Sequence, residues 1–145
     1  MTSELNASTP PVPSYLRVIR LLTAGLAAAS AIVYLLIGFE VLQVVEMRPD
    51  DPSLLWFGLP AAVAFAFGTI VMLRSQNLTL WALGAVFQVF TISMYFGLAK
   101  ERTPQYEPWG ILLRVTQLLI LVALVILLAR YPTAARTPGA PKQRP

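Results

Sequence analysis

The sequence predicts an all-α integral membrane protein, an antiparallel bundle of four transmembrane helices with disordered, proline-rich termini. Hydrophobic residues make up 57% of the chain and charged residues only 12%, whereas soluble domains contain about 25% charged residues. The apolar residues form blocks of about 20, which is enough to cross a hydrocarbon core of about 30 Å. Short polar connections separate these blocks. The predicted spans are residues 17–46, 54–73, 78–99 and 108–130.

The N-terminal segment, residues 1–14, has three prolines among small polar residues and is predicted to be a disordered cytoplasmic tail. Arg17 and Arg20 then precede an uninterrupted apolar run from Leu21 to Phe39. A cleaved signal peptide is the alternative, because residues 27–29 are alanines that resemble a cleavage site. The apolar run continues ten residues past them, so an uncleaved first span is favoured.

The loop before the second span, residues 47–53, contains two prolines that prevent the first helix from continuing. Two rows of small residues with four-residue spacing follow in the second span and allow helices to approach closely. Packing within the chain is the favoured role of these rows, and a homodimer contact is the alternative. The rows are Gly58, Ala62 and Ala66, and Pro60, Ala64 and Gly68.

The third and fourth spans are separated from their neighbours by polar connections. Residues 74–77 form a tight connection into the third span, and residues 100–107 form the next loop. Pro108 suits the first turn of the last helix. Residues 15–131 thus form the transmembrane domain, and the basic, proline-rich residues 132–145 are predicted to be a second disordered cytoplasmic tail.

The chain contains no cysteine and no histidine. Thiol redox chemistry, bis-histidine haem ligation, the usual zinc sites and a Ser-His-Asp triad are therefore excluded. We expect no catalytic residue, no metal and no cofactor. The net charge of +4 comes from basic residues that mainly flank the spans, which is typical of membrane topology and does not indicate nucleic-acid binding.

The distribution of basic residues predicts the orientation of the chain. Seven Lys and Arg residues lie on the side that holds both termini and the second loop, against four on the other side. The positive-inside rule therefore places both termini in the cytoplasm. Arginine outnumbers lysine and alanine is abundant, which favours a bacterial plasma membrane.

Two charged residues within the predicted spans lie at similar depth. Glu40 precedes Glu46 by six residues on an outgoing helix, and Arg114 follows Pro108 by six on an ingoing one, so both lie roughly 9 Å below the outer helix ends. A charge inside a span is costly and normally turns towards a partner. The sequence thus predicts a Glu40–Arg114 pair, with Arg114 reaching the interface alone as the alternative.

Polar residues also recur at helical spacing in the third and fourth spans. Trp81, Gly84, Gln88, Thr91 and Tyr95 follow one face of the third, and Glu107, Gly110, Arg114 and Gln117 one face of the fourth. These faces should lie inside the bundle. There they either fix helix register through hydrogen bonds or line a polar pocket open to the outer leaflet. The candidate pocket residues are Glu40, Gln43, Gln88, Thr91, Tyr95, Arg114 and Gln117.

Two functions fit this pattern. The first is a non-catalytic accessory or scaffold subunit of a larger membrane complex, with a membrane-protein partner or a second copy of the chain. The second is a small transporter or lipid-substrate carrier, in which Glu40 responds to protons or cations and Arg114 holds an anion. An enzymatic role for Glu40 and Glu46 is disfavoured, because six residues place the carboxylates about 9 Å apart along the helix and on different faces.

Overall fold

The computed structural model describes residues 13–42, 55–99 and 107–135. Within these ranges all regular secondary structure is helical, as the sequence predicts. Each of the four helices is long and apolar enough to cross a membrane. They are α1 (Ser14–Gly38), α2 (Leu55–Arg74), α3 (Leu78–Ala99) and α4 (Pro108–Ala135).

The helix boundaries agree with the predicted spans except at three ends. Helices α2 and α3 match to within one residue, and α4 begins at the predicted proline but continues to Ala135. Helix α1 begins three residues earlier than predicted, at Ser14, and ends at Gly38. The predicted continuation of this helix through Glu40 is therefore wrong. The predicted tails before residue 13 and after residue 135 lie outside the described residues, as do the predicted loop residues 47–53 and 100–106.

The end of α1 is formed by a Schellman motif. The backbone N–H of Val41 donates to the carbonyl of Leu36 at 2.9 Å, and that of Glu40 donates to the carbonyl of Ile37 at 3.0 Å. Glu40 has a φ of 59°, the left-handed conformation that this motif requires and that glycine usually supplies. The chain thus leaves the helix axis at Glu40, although the apolar sequence runs on.

Helices α1 and α2 pack together along their length. At one end Gly58 lies so close to α1 that a Cβ atom there would be 2.6 Å from Cα of Gly38 and 2.7 Å from the carbonyl oxygen of Tyr34. At the other end Nη2 of Arg20 donates to the carbonyl of Leu73 at 3.2 Å. Only hydrogen atoms fit between the two backbones at Gly58, so this close approach depends on glycine.

Helices α3 and α4 are also joined at both ends. The Trp81 and Tyr131 rings meet edge to face, with their centroids 5.0 Å apart. The Tyr95 ring lies against Gly110, where an added Cβ atom would be 2.9 Å from a ring carbon. Helix α4 packs against α1 as well, whereas α2 and α3 touch at few points despite the short connection between them. The described bundle is therefore two helix pairs joined through α1 and α4.

The two predicted rows of small residues in α2 lie in different surroundings. Gly58 and Ala62 are buried, whereas Ala66, the third member of their row, is exposed. In the other row Pro60 is exposed, but Ala64 and Gly68 are half-buried and line a cavity. Packing within the chain thus uses part of the first row.

Candidate functional site

The most polar part of the buried interior surrounds Arg114 on α4. The Arg114 cluster, as we call it, consists of the side chains of Tyr34, Tyr95, Arg114 and Gln117 together with the backbone carbonyl of Thr91. Arg114 is only 6% exposed, and Tyr34 and Gln117 are fully buried. The cluster joins three helices, because Tyr34 lies on α1, Thr91 and Tyr95 on α3, and the other two residues on α4.

The guanidinium of Arg114 is bound by neutral oxygen atoms. Its Nη1 donates to the carbonyl oxygen of Thr91 at 2.9 Å and to Oε1 of Gln117 at 2.6 Å. Its Nη2 donates to the hydroxyl oxygen of Tyr34 at 2.8 Å, and Nε2 of Gln117 donates to the same hydroxyl oxygen at 2.9 Å. Arg114, Gln117 and Tyr34 therefore form a closed ring of three hydrogen bonds, of which Arg114 donates two and the amide of Gln117 donates the third.

The face of the guanidinium is covered by an aromatic ring. Cζ of Arg114 lies 4.5 Å from the centroid of the Tyr95 ring, within the distance at which a ring quadrupole attracts a cation. Gly110, one turn before Arg114, leaves the space that this ring occupies. Because Gly110 has no side chain, the ring of Tyr95 on α3 can stack on the guanidinium of Arg114 on α4.

The predicted ion pair between Glu40 and Arg114 is absent. Glu40 lies beyond the end of α1 with an exposed side chain, whereas Arg114 is buried among the groups just described. Glu40 is exposed, and the hydrogen bonds of Arg114 go to Tyr34, Thr91 and Gln117. The prediction failed because it assumed that α1 continues to residue 46. The positive charge of Arg114 is instead stabilised by a hydroxyl oxygen, an amide oxygen, a backbone carbonyl oxygen and the π electrons of an aromatic ring.

Two polar atoms of the cluster have no hydrogen-bond partner among the residues that the structure describes. These atoms are Nε of Arg114 and the hydroxyl oxygen of Tyr95, and both are buried. Buried polar atoms in proteins are nearly always hydrogen-bonded, so each such atom calls for an explanation. The hydrogen bonds thus satisfy the edge of the guanidinium that carries the two Nη atoms, whereas the N–H at Nε has no acceptor among the described residues.

A second feature lies in the other half of the bundle, near the connection between α2 and α3. Here a cavity of about 250 Å³ is bordered by residues from all four helices. We call it the α2–α3 cavity. Its wall is mostly apolar and includes the rings of Phe65, Phe67 and Phe87. Phe67 and Leu83 line it and are 61% and 59% exposed, so the cavity reaches the outer surface between α2 and α3.

Two residues that line the α2–α3 cavity each carry a buried polar atom with no hydrogen-bond partner in the described part of the chain. Nε1 of Trp81 and Oε1 of Gln88 are buried and make no hydrogen bond, and both residues line the cavity. Trp81 is 0% exposed and Gln88 is 4% exposed. One atom is a hydrogen-bond donor and the other an acceptor, and both are covered by neighbouring atoms, so the cavity wall itself is almost entirely apolar.

The structure separates the seven residues of the predicted pocket. Thr91, Tyr95, Arg114 and Gln117 come together in the Arg114 cluster, Thr91 through its backbone carbonyl. Gln88 lines the α2–α3 cavity, Glu40 is exposed beyond α1, and Gln43 lies outside the described residues. The predicted inward orientation of the two polar faces is confirmed for Trp81, Gln88, Arg114 and Gln117, which are all buried.

Sequence reasoning overlooked Tyr34, although its hydroxyl accepts two hydrogen bonds in the cluster. A signal was present, because Tyr34 interrupts a row of small residues on one face of α1. Ala27, Ala31 and Gly38 are spaced around it at helical intervals and are all buried. A single phenol in such a tightly packed row needs a partner for its hydroxyl.

The described residues contain no group of three or more His, Cys, Asp or Glu side chains able to hold a metal ion. The chemistry that the cluster offers is hydrogen bonding and electrostatic attraction by one fixed cation. Comparison of the whole chain with protein-family models, curated proteins and solved structures gives no match. The function must therefore be argued from the two features above.

Proposed function

We propose that the chain is an integral membrane protein whose four helices cross the bilayer as an antiparallel bundle. We propose also that it serves as a non-catalytic accessory subunit of a membrane complex. The antiparallel arrangement is supported by contacts at the helix ends. The end of α1 meets the start of α2 at Gly38 and Gly58, and the start of α3 meets the end of α4 at Trp81 and Tyr131. Four apolar helices of this length support the insertion.

The observation that carries this proposal is the use of Arg114 inside the bundle. Its guanidinium makes three hydrogen bonds to other groups of the chain and stacks on Tyr95. A cation held in this way fastens α1, α3 and α4 together and has little capacity left for a passing anion. An intramembrane charge of this kind stabilises a fixed geometry at a substantial desolvation cost.

We further propose that the chain lies in a bacterial plasma membrane with both termini in the cytoplasm. The support is the excess of basic residues beside the termini and the second loop. Because the chain has no cysteine, a single introduced cysteine reports one position. A membrane-impermeant maleimide should label Asp51→Cys in intact cells and Gln76→Cys only after the membrane is opened. Labelling of Gln76→Cys in intact cells contradicts the orientation.

Purification from native membranes in a mild detergent tests the accessory role. A tagged chain should bring down another membrane protein in a fixed ratio, and the Arg114→Ala variant should lose it because the bundle no longer holds its shape. A chain of 15.9 kDa that elutes alone, from gentle solubilisation at native expression, contradicts the proposal.

A small lipid-substrate carrier is the second candidate, and the α2–α3 cavity favours it. The two candidates are separated by Glu40→Gln and Arg114→Ala in a reconstituted flux assay. An accessory subunit should lose stability or assembly with Arg114→Ala and tolerate Glu40→Gln, whose side chain is exposed. A carrier that uses these two charges should lose flux with both substitutions while the protein still folds and inserts.

A further inference from the structure

A second cavity, separate from the α2–α3 cavity, lies between the start of α1, the connection between α2 and α3, and the last turns of α4. Its volume is about 360 Å³, within the range of roughly 300–1,000 Å³ that is usual for small-molecule sites. We call it the basic cavity. The residues that line it are Leu16, Arg17, Arg20, Leu21, Gln76 and Tyr131.

Positive charge is concentrated at this end of the described bundle. Four of the five arginines that the structure describes lie here, namely Arg17, Arg20, Arg74 and Arg130. The carboxylates of the described residues belong to the opposite end, because Glu40 follows the last turn of α1 and Glu107 precedes the first turn of α4. The charges of the described residues therefore attract an anion to the basic cavity.

Two guanidinium groups in the cavity wall lie close together. Arg17 and Arg20 are three residues apart on α1, about 4.5 Å along the helix axis, and so share one face. Nη2 of Arg20 donates to the carbonyl of Leu73 at 3.2 Å, which holds this guanidinium in position. A guanidinium has five N–H groups, so one such bond leaves Arg20 with donors for a ligand.

A ligand can reach the polar side chains of the basic cavity. Arg17 and Gln76 are exposed, and Arg20 and Tyr131 are half-buried. None of these residues carries a buried polar atom that lacks a partner. The ring of Tyr131 is held by its edge-to-face contact with Trp81, so its hydroxyl is offered from a fixed side chain.

The lining indicates a ligand that has both an anionic group and a hydrocarbon part. Guanidinium groups bind phosphate oxygens in pairs through parallel N–H donors, and a phosphate has enough oxygens for a phenol as well. Leu21 lines the same cavity about 6 Å further along α1 than Arg17. It is 58% exposed and begins the apolar run of the helix. A phosphate attached to hydrocarbon chains therefore matches the whole wall.

We propose that the basic cavity binds the phosphate group of an anionic phospholipid. Arg17 and Arg20 hold the phosphate oxygens, and the hydroxyl of Tyr131 donates to one of them. The acyl chains pass Leu21 towards the middle of the bilayer. Basic pockets between membrane helices are known to hold lipid headgroups in this way. The inference rests on the membrane insertion proposed above and is independent of the accessory role.

Native mass spectrometry of the full chain in a mild detergent, titrated with one lipid at a time, tests the proposal. One molecule of dioleoylphosphatidylglycerol should bind roughly tenfold more tightly than dioleoylphosphatidylcholine, whose choline cation opposes the arginines. Arg17→Ala and Arg20→Ala should each weaken phosphatidylglycerol binding roughly fivefold, the effect of one basic residue near an anionic lipid. Tyr131→Phe keeps the ring beside Trp81 and should weaken binding roughly threefold.

Arg74→Ala is the matched control. It removes the same charge from the same end of the bundle, but Arg74 does not line the basic cavity, so phosphatidylglycerol binding should stay nearly unchanged. Two further ligands identify the chemistry that is recognised. Glycerol 3-phosphate has the phosphate without the chains, and oleate has a chain with a carboxylate. Both should bind much more weakly than phosphatidylglycerol.

Three results overturn the proposal. An equal loss of binding with Arg74→Ala means that the lipid responds to total surface charge and occupies no site. Glycerol 3-phosphate that binds as tightly as the lipid means that the ligand is a water-soluble phosphate ester. Equally tight binding of oleate means that any anionic amphiphile is accepted.

Two safeguards keep the test decisive. If Arg20→Ala fails to fold because its bond to the carbonyl of Leu73 is lost, Arg17→Ala and Tyr131→Phe decide the question. A chain that needs detergent and keeps its helical circular dichroism, but shows no preference for phosphatidylglycerol, overturns the lipid site and leaves the proposed insertion intact.

Discussion

The hydroxyl of Tyr34 accepts hydrogen bonds from two side chains of α4, and this single oxygen links α1 to the buried cation. Its ring also stacks on Phe65 of α2, with centroids 5.4 Å apart. Tyr34 therefore contacts the two neighbours of α1 at the same level of the bundle. Within the cluster it is the residue that connects α1 to the other helices.

Tyr34→Phe should lower the free energy of unfolding by about 1–3 kcal/mol, because it leaves Nη2 of Arg114 and Nε2 of Gln117 without their acceptor in a dry site. Reversible unfolding in mixed detergent micelles measures this loss. Tyr15→Phe is the matched control, since Tyr15 is 50% exposed on the same helix, and it should change stability by less than about 0.5 kcal/mol. Equal effects of the two variants would show that the hydroxyl of Tyr34 contributes nothing.

Glu40 offers a second prediction, which concerns the backbone. A left-handed residue that is not glycine is strained by about 1–2 kcal/mol, so Glu40→Gly should stabilise the protein by about 1 kcal/mol. Glu40→Ala removes the same carboxylate but keeps the strained φ, and it should give no gain. The difference between the two variants in one unfolding assay isolates the backbone effect, and an alanine variant as stable as the glycine variant would rule out strain at this position.

These residues show where sequence reasoning succeeds and where it stops. Trp81 and Gln88 were predicted to face inwards because polar groups recurred at helical spacing in an apolar run, and both are buried. Glu40 was misplaced because glutamate gives no signal for a left-handed turn. Tyr34 was overlooked because an aromatic residue in a span looks apolar, and its hydroxyl acquires a role only when α4 brings a guanidinium to it.

At the scale of the helices, the contact between α1 and α2 depends on two glycines facing each other. A Cβ atom added at Gly38 would lie 3.4 Å from Cα of Gly58, whereas a Cβ atom added at Gly58 would lie only 2.6 Å from Cα of Gly38. The asymmetry arises because a side chain at residue 58 points at the α1 backbone, including the carbonyl of Tyr34. The sequence predicted close packing by Gly58 but not which glycine opposes it.

Gly58→Ala should force α1 and α2 apart and destabilise the protein by about 1–3 kcal/mol, the usual cost of overpacking. Gly25→Ala adds the same methyl group to α1 where nothing lies within 4 Å, and it should be neutral or stabilising because alanine favours helix. Thermal unfolding of the two variants side by side gives the measurement. A Gly58→Ala variant as stable as the wild type would mean that the helices do not approach this closely.

At the scale of the molecule, α1 pairs with α2 and α3 pairs with α4, and the union of the two pairs relies on α1 against α4. The Arg114 cluster lies in this union and bonds to Tyr34 across it. The connection between α2 and α3, residues 75–77, brings two helices together that hardly touch. Covalent continuity there contributes little to the packed structure.

Co-expression of residues 1–76 and 77–145 as separate chains should therefore give a complex that co-purifies, with each fragment carrying one helix pair. Arg114→Ala in the second fragment should reduce the yield of the complex several-fold, because the hydrogen bonds to Tyr34 are lost. Arg17→Ala in the first fragment, an exposed position remote from the cluster, serves as the control. Failure of the unmodified fragments to associate would show that the connection is required.

The sparse contact between α2 and α3 also bears on how the chain reaches its final state during synthesis. In the proposed membrane topology, the first helix pair has its own internal contacts and can enter the lipid while the ribosome is still adding the second pair. The last step is then the lateral association of the two helix pairs. It forms the hydrogen bond between Arg114 and Tyr34, which lies 80 residues earlier in the chain.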